Sequence, residues 1–249
     1  MPEIDVAMPT WNSGSVIEGS LDHLRQSEGS GTVDIDRLIV VDKESDDDTL
    51  DIARESATDA GWEFEPIVSD CSLPGAREAA IDTVETEWFL FLDDDVRVDE
   101  GYLDCVFGAV APLVGGVQGR KGARTEHPTD WVRRRSRRGG THATLLRRNA
   151  VADVTFPRDL AVLEDEYLRR HVEDGGFLWV YNHQARFDHD SQQRHPIGWK
   201  EGYLGGKYEL SALHDVALNV PYALASGRNP LPHAKRLAGW IAGWTERTR

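Results

Sequence analysis

Four times within the first 95 residues a short apolar run gives way to a polar cluster, and a segment with helical spacing separates each run from the next. The runs at 4–8, 37–41, 63–69 and 88–92 read as strands, and 15–25, 46–60 and 75–83 read as helices. In 15–25 the apolar positions are Val16, Ile17, Leu21 and Leu24, and in 46–60 acids fill the first turn. An order of β-α-β-α-β-α-β admits few folds. Parallel strands need crossover helices, and those helices cover both faces of one mostly parallel sheet. Open sheets of this kind bind ligands at the carboxyl ends of their strands, and here each polar cluster follows directly on a strand.

Beyond residue 92 the pattern is less regular. Residues 110–117 and 177–181 read as strands, 141–148 resume strand character, and 163–174 read as a helix. Residues 120–140 are rich in Arg and Gly and read as a long loop, while the last 45 residues read as helical with breaks at Pro221, Pro230 and Pro232. The chain is thus expected to be α/β, with residues 1–119 and 120–205 as two halves of one domain and 206–249 as a helical C-terminal segment.

Charge separates the halves. The formal net charge is −15, yet residues 1–119 hold 28 acids against 6 bases while the remainder holds 15 acids against 22 bases. Arginine supplies 23 of the 28 bases. Abundant carboxylates with scarce lysine resemble salt-adapted, haloarchaeal-like proteins; a net-positive second half under that pressure implies an anionic partner. No apolar run approaches the roughly 20 residues of a membrane span, and the strand pattern beginning at residue 4 leaves no signal peptide, so a cytoplasmic location is expected. Cys71 and Cys105 lack metal-type spacing and are expected to be buried free thiols.

Chemistry concentrates where "FLFL" runs into Asp93, Asp94 and Asp95. In an extended chain Asp93 and Asp95 point to the same side, and hard oxygen ligands so arranged suit Mg²⁺ or Mn²⁺ together with substrate phosphates. On the triplet alone the alternative is a solvated acidic turn before the helix that follows Gly101. An EF-hand reading of residues 42–53 fails, because Asp47 stands where that loop needs Gly and Ala53 where it needs Glu.

Other segments bear on the choice. Met-Pro-Thr-Trp-Asn (8–12) follows the first strand, Val-Val-Asp-Lys-Glu-Ser-Asp-Asp-Asp-Thr (40–49) the second and Gly-Ala-Arg-Glu-Ala-Ala-Ile (75–81) the third. After the triplet come Leu163-Glu164-Asp165, with Leu168, Arg169 and Gly175, and then Ala185-Arg186-Phe187-Asp188-His189. In this order, across roughly residues 2–190, these pieces resemble the family 2 glycosyltransferases, which have the GT-A fold.

The resemblance implies an inverting, metal-dependent transfer of a sugar from a nucleotide-diphosphate donor, UDP- or GDP-linked, with Mg²⁺ or Mn²⁺ as cofactor. It implies that Pro9, Thr10 and Asn12 line the nucleotide pocket, that Asp42 helps hold the base with Ser45, Asp47 and Thr49 completing its loop, and that Arg77 reaches the nucleotide. Asp94 would sit near the ribose, Asp95 would hold the metal, Asp93 would support the loop, and His189 would lie beside the metal. Asp165 matches the general base that takes the acceptor hydroxyl's proton; on position alone, Glu164 and Asp165 also suit a helix N-terminus. The chain departs from the family at Lys43 and Glu44, where Asp and Gly are usual, at Trp11 for Tyr, and at Glu78 for Asn. Rival readings are a non-catalytic protein of the same fold that binds nucleotide sugar or an anionic surface, and a nucleotidyltransferase. The latter usually has a Gly-rich basic loop where Pro9-Thr10-Trp11-Asn12 stands.

Residues 120–148 carry ten bases against two acids. They read either as a solvated loop or as a contact for phosphate or anionic lipid; no nucleic-acid motif accompanies them. The tail "PHAKRLAGWIAGWTERTR" places Leu237, Trp240, Ile241 and Trp244 on one helical face, suited either to packing on the domain or to peripheral contact with a membrane. Expected acceptors are a lipid-linked one such as a polyisoprenyl phosphate, a glycan, or a soluble or protein acceptor. Gln192-Gln193-Arg194-His195 is not the Gln-x-x-Arg-Trp motif of processive polysaccharide synthases.

Overall fold

A computed structural model describes residues 1–28, 31–122, 139–189 and 198–247. Strands β1 (Glu3–Thr10), β2 (Asp34–Asp42), β3 (Glu63–Val68) and β4 (Trp88–Leu92) alternate with helices α1 (Ile17–Ser27), α2 (Thr49–Ala60) and α3 (Leu73–Thr83). The first half thus follows its apolar periodicity. Along each central strand, successive residues go to opposite faces. Val6, Met8, Leu38, Val40, Leu90 and Leu92 enter one core with α1 and α2, and Ala7, Ile39, Val41, Phe89 and Phe91 enter a second core with α3. Both faces of these strands are buried, which is why they read as continuous apolar runs.

Local chemistry sets the helix ends. The Ser72 hydroxyl caps α3 by accepting from the Gly75 N–H, with Pro74 in its first turn. Gly61, at φ 81°, ends α2 in the left-handed conformation that glycine takes without a Cβ penalty.

The second half continues with β5 (Val96–Val98), α4 (Tyr102–Phe107), β6 (Val114–Lys121), β7 (Ala143–Arg147), α5 (Arg148–Val151), α6 (Glu164–Asp174) and β8 (Leu178–His189). Helices α7 (Trp199–Lys207), α8 (Leu213–Ala225) and α9 (Leu231–Arg247) close the chain. All eight strands form one sheet, ordered β3-β2-β1-β4-β7-β6-β8-β5. Pairing is parallel from β3 to β4, antiparallel where β7 lies between β4 and β6, parallel between β6 and β8, and antiparallel again at β5.

Several expectations need correction. The strand expected at 110–117 begins at Val114 and runs to Lys121, so Arg120 and Lys121 belong to it rather than to a loop. The strand expected at 177–181 extends to His189, because β6 and then β5 continue to offer it backbone partners. Strand β5 has only three residues and was not anticipated. The change of charge sign at residue 119 falls inside β6. Most of the expected Arg/Gly loop, including Arg124, Arg133, Arg134, Arg135, Arg137 and Arg138, lies outside the described residues, as do Gln192 to His195. Cys71 and Cys105 are free, but half-buried rather than buried.

Helices α7 and α9 pack backbone to backbone. Gly202 and Gly206 of α7 face the Arg236 and Trp240 carbonyls, and Gly239 and Gly243 of α9 face those of Trp199 and Tyr203. A Cβ at any of the four would come within about 2.1 Å of a backbone oxygen. The glycines, not the Leu237/Trp240/Ile241/Trp244 stripe, form the packing face of α9, and Ile241 and Trp244 remain exposed.

Candidate active site

The carboxyl ends of β1, β2 and β4, the start of α6 and the end of β8 surround a cleft of about 1110 Å³. Pro9, Thr10, Arg77, the three aspartates, Asp165 and His189 all line it, joined by Trp11, Lys43 and His142. Its far wall is the start of α7, with Gly198, Lys200 and Glu201. A smaller hollow of about 230 Å³ between α1 and α2 is walled by acids such as Glu18, Asp22, Glu55 and Asp59, and contains none of these groups.

Asp42 is sunk behind the cleft, and the exposed Asn12 is not among the residues that line it. The Asp42 carboxylate is fully buried and accepts from the Thr10 hydroxyl (2.9 Å), the Ser45 N–H (2.8 Å) and the Ser45 hydroxyl (2.6 Å). Asn12, at φ 51°, accepts the Asp46 N–H through Oδ1 at 3.0 Å and donates its own N–H to Ser45. The Asp47 carboxylate accepts from the Gly14 N–H and the Thr49 N–H. These bonds give the loop after β2 its shape. They present Lys43 over the exposed Trp11 ring, 5.1 Å from its centroid.

The triplet divides its labour. Asp93 accepts from Arg77 Nη2 at 3.1 Å and pairs with His142 Nδ1 at 2.6 Å. Burial pushes its carboxyl up, but the Arg77 charge and His142 outweigh that and hold it well below the usual carboxylate range. Asp94 accepts from the Ser13 hydroxyl; burial, with repulsion from Asp93 and Asp95, pushes its pKa up to about 6. Asp95 lies 3.0 Å from His189 Nε2, whose other ring nitrogen is 3.0 Å from Lys121 Nζ. The three neighbouring acids are therefore partnered by a guanidinium, a hydroxyl and two imidazoles.

Arg77 is 1% exposed at the cleft floor and bridges two acids, since Asp165 Oδ1 lies 3.8 Å from the same Nη2. Its Nε and Nη1 are buried without a hydrogen-bond partner among the described residues, and its guanidinium lies over the Phe91 ring. Asp165 also accepts from the Thr141 hydroxyl. Next to it, burial and the Asp165 charge raise the Glu164 carboxyl. Glu166 anchors the approach to β7 by accepting from the Gly139 N–H (2.9 Å) and from Arg169.

His142 went unread in the sequence. Antiparallel pairing of Leu92 with Ala143 sets it beside Asp93, whose N–H donates to the His142 carbonyl at 2.9 Å. Burial lowers the imidazole pKa, but the hydrogen bond to Asp93 and its charge prevail and push it up to about 9. The only local signal was a histidine opening a strand after Gly139-Gly140. One ligand atom each from Asp93, His142 and His189 lie within 4.8 Å of one another, close enough to share one metal ion. One carboxylate and two imidazoles form a donor set for a divalent transition metal once His142 gives up the proton it holds against Asp93.

The carboxyl ends of this α/β sheet gather acids, histidines and a buried arginine around one cleft, where open sheets of this kind bind ligands. The family model for glycosyl transferase family 2 matches residues 5–172, and the chain belongs to that family. No curated protein sequence matches it. Among solved structures it is similar to S. aureus TarS 1–349 (15% identity, TM-score 0.61, covering 97% of this chain and 71% of that one). It is also similar to the mannosyltransferase PcManGT from Pyrobaculum calidifontis in complex with GDP-Man and Mn²⁺ (19%, 0.64, 97% and 69%). A third is glucosyl-3-phosphoglycerate synthase from Mycobacterium tuberculosis in complex with Mn²⁺, UDP and phosphoglyceric acid (15%, 0.56, 77% and 72%). At these identities the likeness establishes the fold.

Proposed function

We propose that this protein transfers a sugar, with inversion, from a nucleotide-diphosphate donor to an acceptor, using a divalent cation. The observation that carries the reading is the meeting of Asp93, His142 and His189 on the cleft floor beside Asp165. The neighbours' complexes with GDP-Man, UDP and Mn²⁺ support it. Two imidazole nitrogens are softer donors than Mg²⁺ favours, which moves the preference to Mn²⁺. Bound there, the cation would offset negative charge developing on the departing diphosphate.

The chain's own residues do the rest. Pro9, Thr10 and Trp11 form the donor wall, and Trp11 offers an aromatic face for a nucleobase with Lys43 beside it. Asp42 and Asn12 hold the shape of that wall. Arg77 bridges Asp93 and Asp165 and keeps Asp93 ionised. With a hydroxyl acceptor, Asp165 takes its proton as that oxygen bonds to the anomeric carbon and the bond to the diphosphate oxygen breaks; a phosphate acceptor attacks already ionised. Residues 1–119 hold the donor, and 120–205 with the start of α7 hold the acceptor, a lipid-linked phosphate such as a polyisoprenyl phosphate or a glycan. Lys200 at the far wall suits an anionic acceptor.

Calorimetric titration with UDP, GDP and dTDP, with and without Mn²⁺, tests the donor site. One nucleotide should bind only with metal, and His189→Ala and Asp95→Ala should each weaken it by about tenfold or more. Absence of binding by all three nucleotides in the presence of Mn²⁺ would overturn the reading.

A further inference from the structure

Helix α8 presents an unusual surface. Residues 216–227 (VALNVPYALASG) contain no charged side chain, yet only Val216 and Ala223 of the helix are buried. A helix on the surface of a globular domain ordinarily turns a polar face outward. Here Leu218 is 43% exposed, Tyr222 49% and Leu224 62%; Leu231 at the start of α9 adds 56%, and Ile241 and Trp244 further along add 49% and 44%. No other stretch of the described chain gathers so many exposed large apolar side chains.

Charge says what covers this surface. Residues 206–249 hold six bases and three acids in a chain of net −15. Glu209 with Arg247 and Glu246 with Lys207 offset each other, and Arg236 is buried against Glu201, so the surplus at the surface rests on the turn between α8 and α9. Arg228, between α8 and α9, and Lys235, in the first turns of α9, remain exposed beside the leucines. A second copy docked on this face by a two-fold axis would bring two net-positive segments together. An anionic bilayer would accept the apolar side chains below its headgroups and the bases among them, with Tyr and Trp at the boundary. The acids of residues 1–119 weaken this only within a Debye length, about 8–10 Å in ordinary buffer.

We propose that the exposed face of α8, with Leu231 at the start of the helix that packs on it, seats the protein on an anionic lipid surface. The seat connects to the chemistry through two helix contacts: α8 packs on α9, α9 packs on α7, and the first turn of α7 walls the cleft. The proposal deepens the lipid-linked acceptor reading of that cleft and rests on it for its purpose. No helix among the described residues is long and apolar enough to cross a membrane, so this is contact in the plane of the interface.

Flotation with phosphatidylcholine vesicles, with and without phosphatidylglycerol, tests the seat on the full chain. The wild type should float with the phosphatidylglycerol vesicles, and the double variant Leu218→Glu/Leu224→Glu should lose about tenfold or more of that partitioning. Both positions are exposed, so circular dichroism and nucleotide calorimetry should read the same in variant and wild type. A wild type that stays with the vesicle-free fraction, or a variant that floats equally well, would overturn the proposal. So would a wild-type dimer, monomeric in the variant, with no flotation of either. Flotation without nucleotide binding would remove the donor reading and leave the seat standing; nucleotide binding without flotation would do the reverse.

Discussion

Asp165 and His142 make the most direct tests at the scale of single residues. Asp165→Asn keeps the Thr141 hydroxyl near an oxygen acceptor but cannot take a proton, so turnover with a hydroxyl acceptor should fall by roughly 10²–10⁴-fold. With a phosphate acceptor, already ionised at neutral pH, much of the activity should remain. Comparing the two acceptors under single-turnover conditions separates the cases, and full activity on the hydroxyl acceptor would remove Asp165 from the base role. His142→Ala should lower Mn²⁺ affinity by about 10–100-fold, read by calorimetry or by the Mn²⁺ paramagnetic signal without any substrate. Unchanged affinity would return the metal to Asp95 and His189 alone.

At the scale of elements, one clamp joins three of them. Asp5 of β1 is fully buried and accepts from Arg37 Nε (3.1 Å) and Nη2 (2.8 Å) of β2, and from the Glu85 N–H (2.7 Å) just before β4. Burial pushes this carboxyl up, but the bonds from Arg37 and from the Glu85 and Thr86 N–H groups prevail and hold it below its ordinary value. Its contribution to stability is therefore complete above the unfolded carboxylate pKa, about 3.9. It is lost as pH falls through the lower folded value. Asp5→Asn leaves Arg37 buried without its counter-ion and should cost about 3–5 kcal/mol in denaturant unfolding at neutral pH. That difference from wild type should shrink as the solution is acidified below about pH 4. The α7–α9 contact yields a second test. Gly206→Val would drive a Cβ to 2.1 Å from the Trp240 carbonyl and force the helices apart. A loss of about 1–3 kcal/mol is expected, with amide exchange accelerated in α7 and α9 before the β1–β4 core. Uniform acceleration throughout the sheet would show that the helices unfold together with it.

For the whole molecule, the charge imbalance predicts a response to salt. Twenty-eight acids against six bases in residues 1–119 repel one another, and added salt screens that repulsion. Raising KCl should stabilise the fold; a gain of about 2 kcal/mol would lift Tm by roughly 4–8 °C for a chain of this size. A flat or falling Tm would count against adaptation to salt. The seat on α8 belongs to this scale too, since it joins a positive, apolar end to a strongly acidic body.

Legibility followed the range of the interactions. Strands β1 to β4 and helices α1 to α3 were readable because burial on both faces writes itself into consecutive residues, as in Phe89 to Leu92. Asp93, Asp94, Asp95, Asp165 and His189 were readable as members of a family pattern, and they do line one cleft. Strand β5 is too short to show a period, and His142 acquires its partner only through the antiparallel pairing of β7 with β4. The sinking of Asp42 behind the cleft wall depends on Thr10 and Ser45 converging from two different segments. The paired glycines at 202, 206, 239 and 243 were visible as spacing, but nothing local says that one pair faces the other. By itself the sequence determined the α/β class, the alternation of its first half and the residue types gathered at the strand ends, because these rest on periodicity and on neighbours in the chain. Only the tertiary structure decided which imidazoles meet Asp93, which acids turn inward and which face of α8 is left bare, because those depend on segments far apart in sequence competing for the same few ångströms.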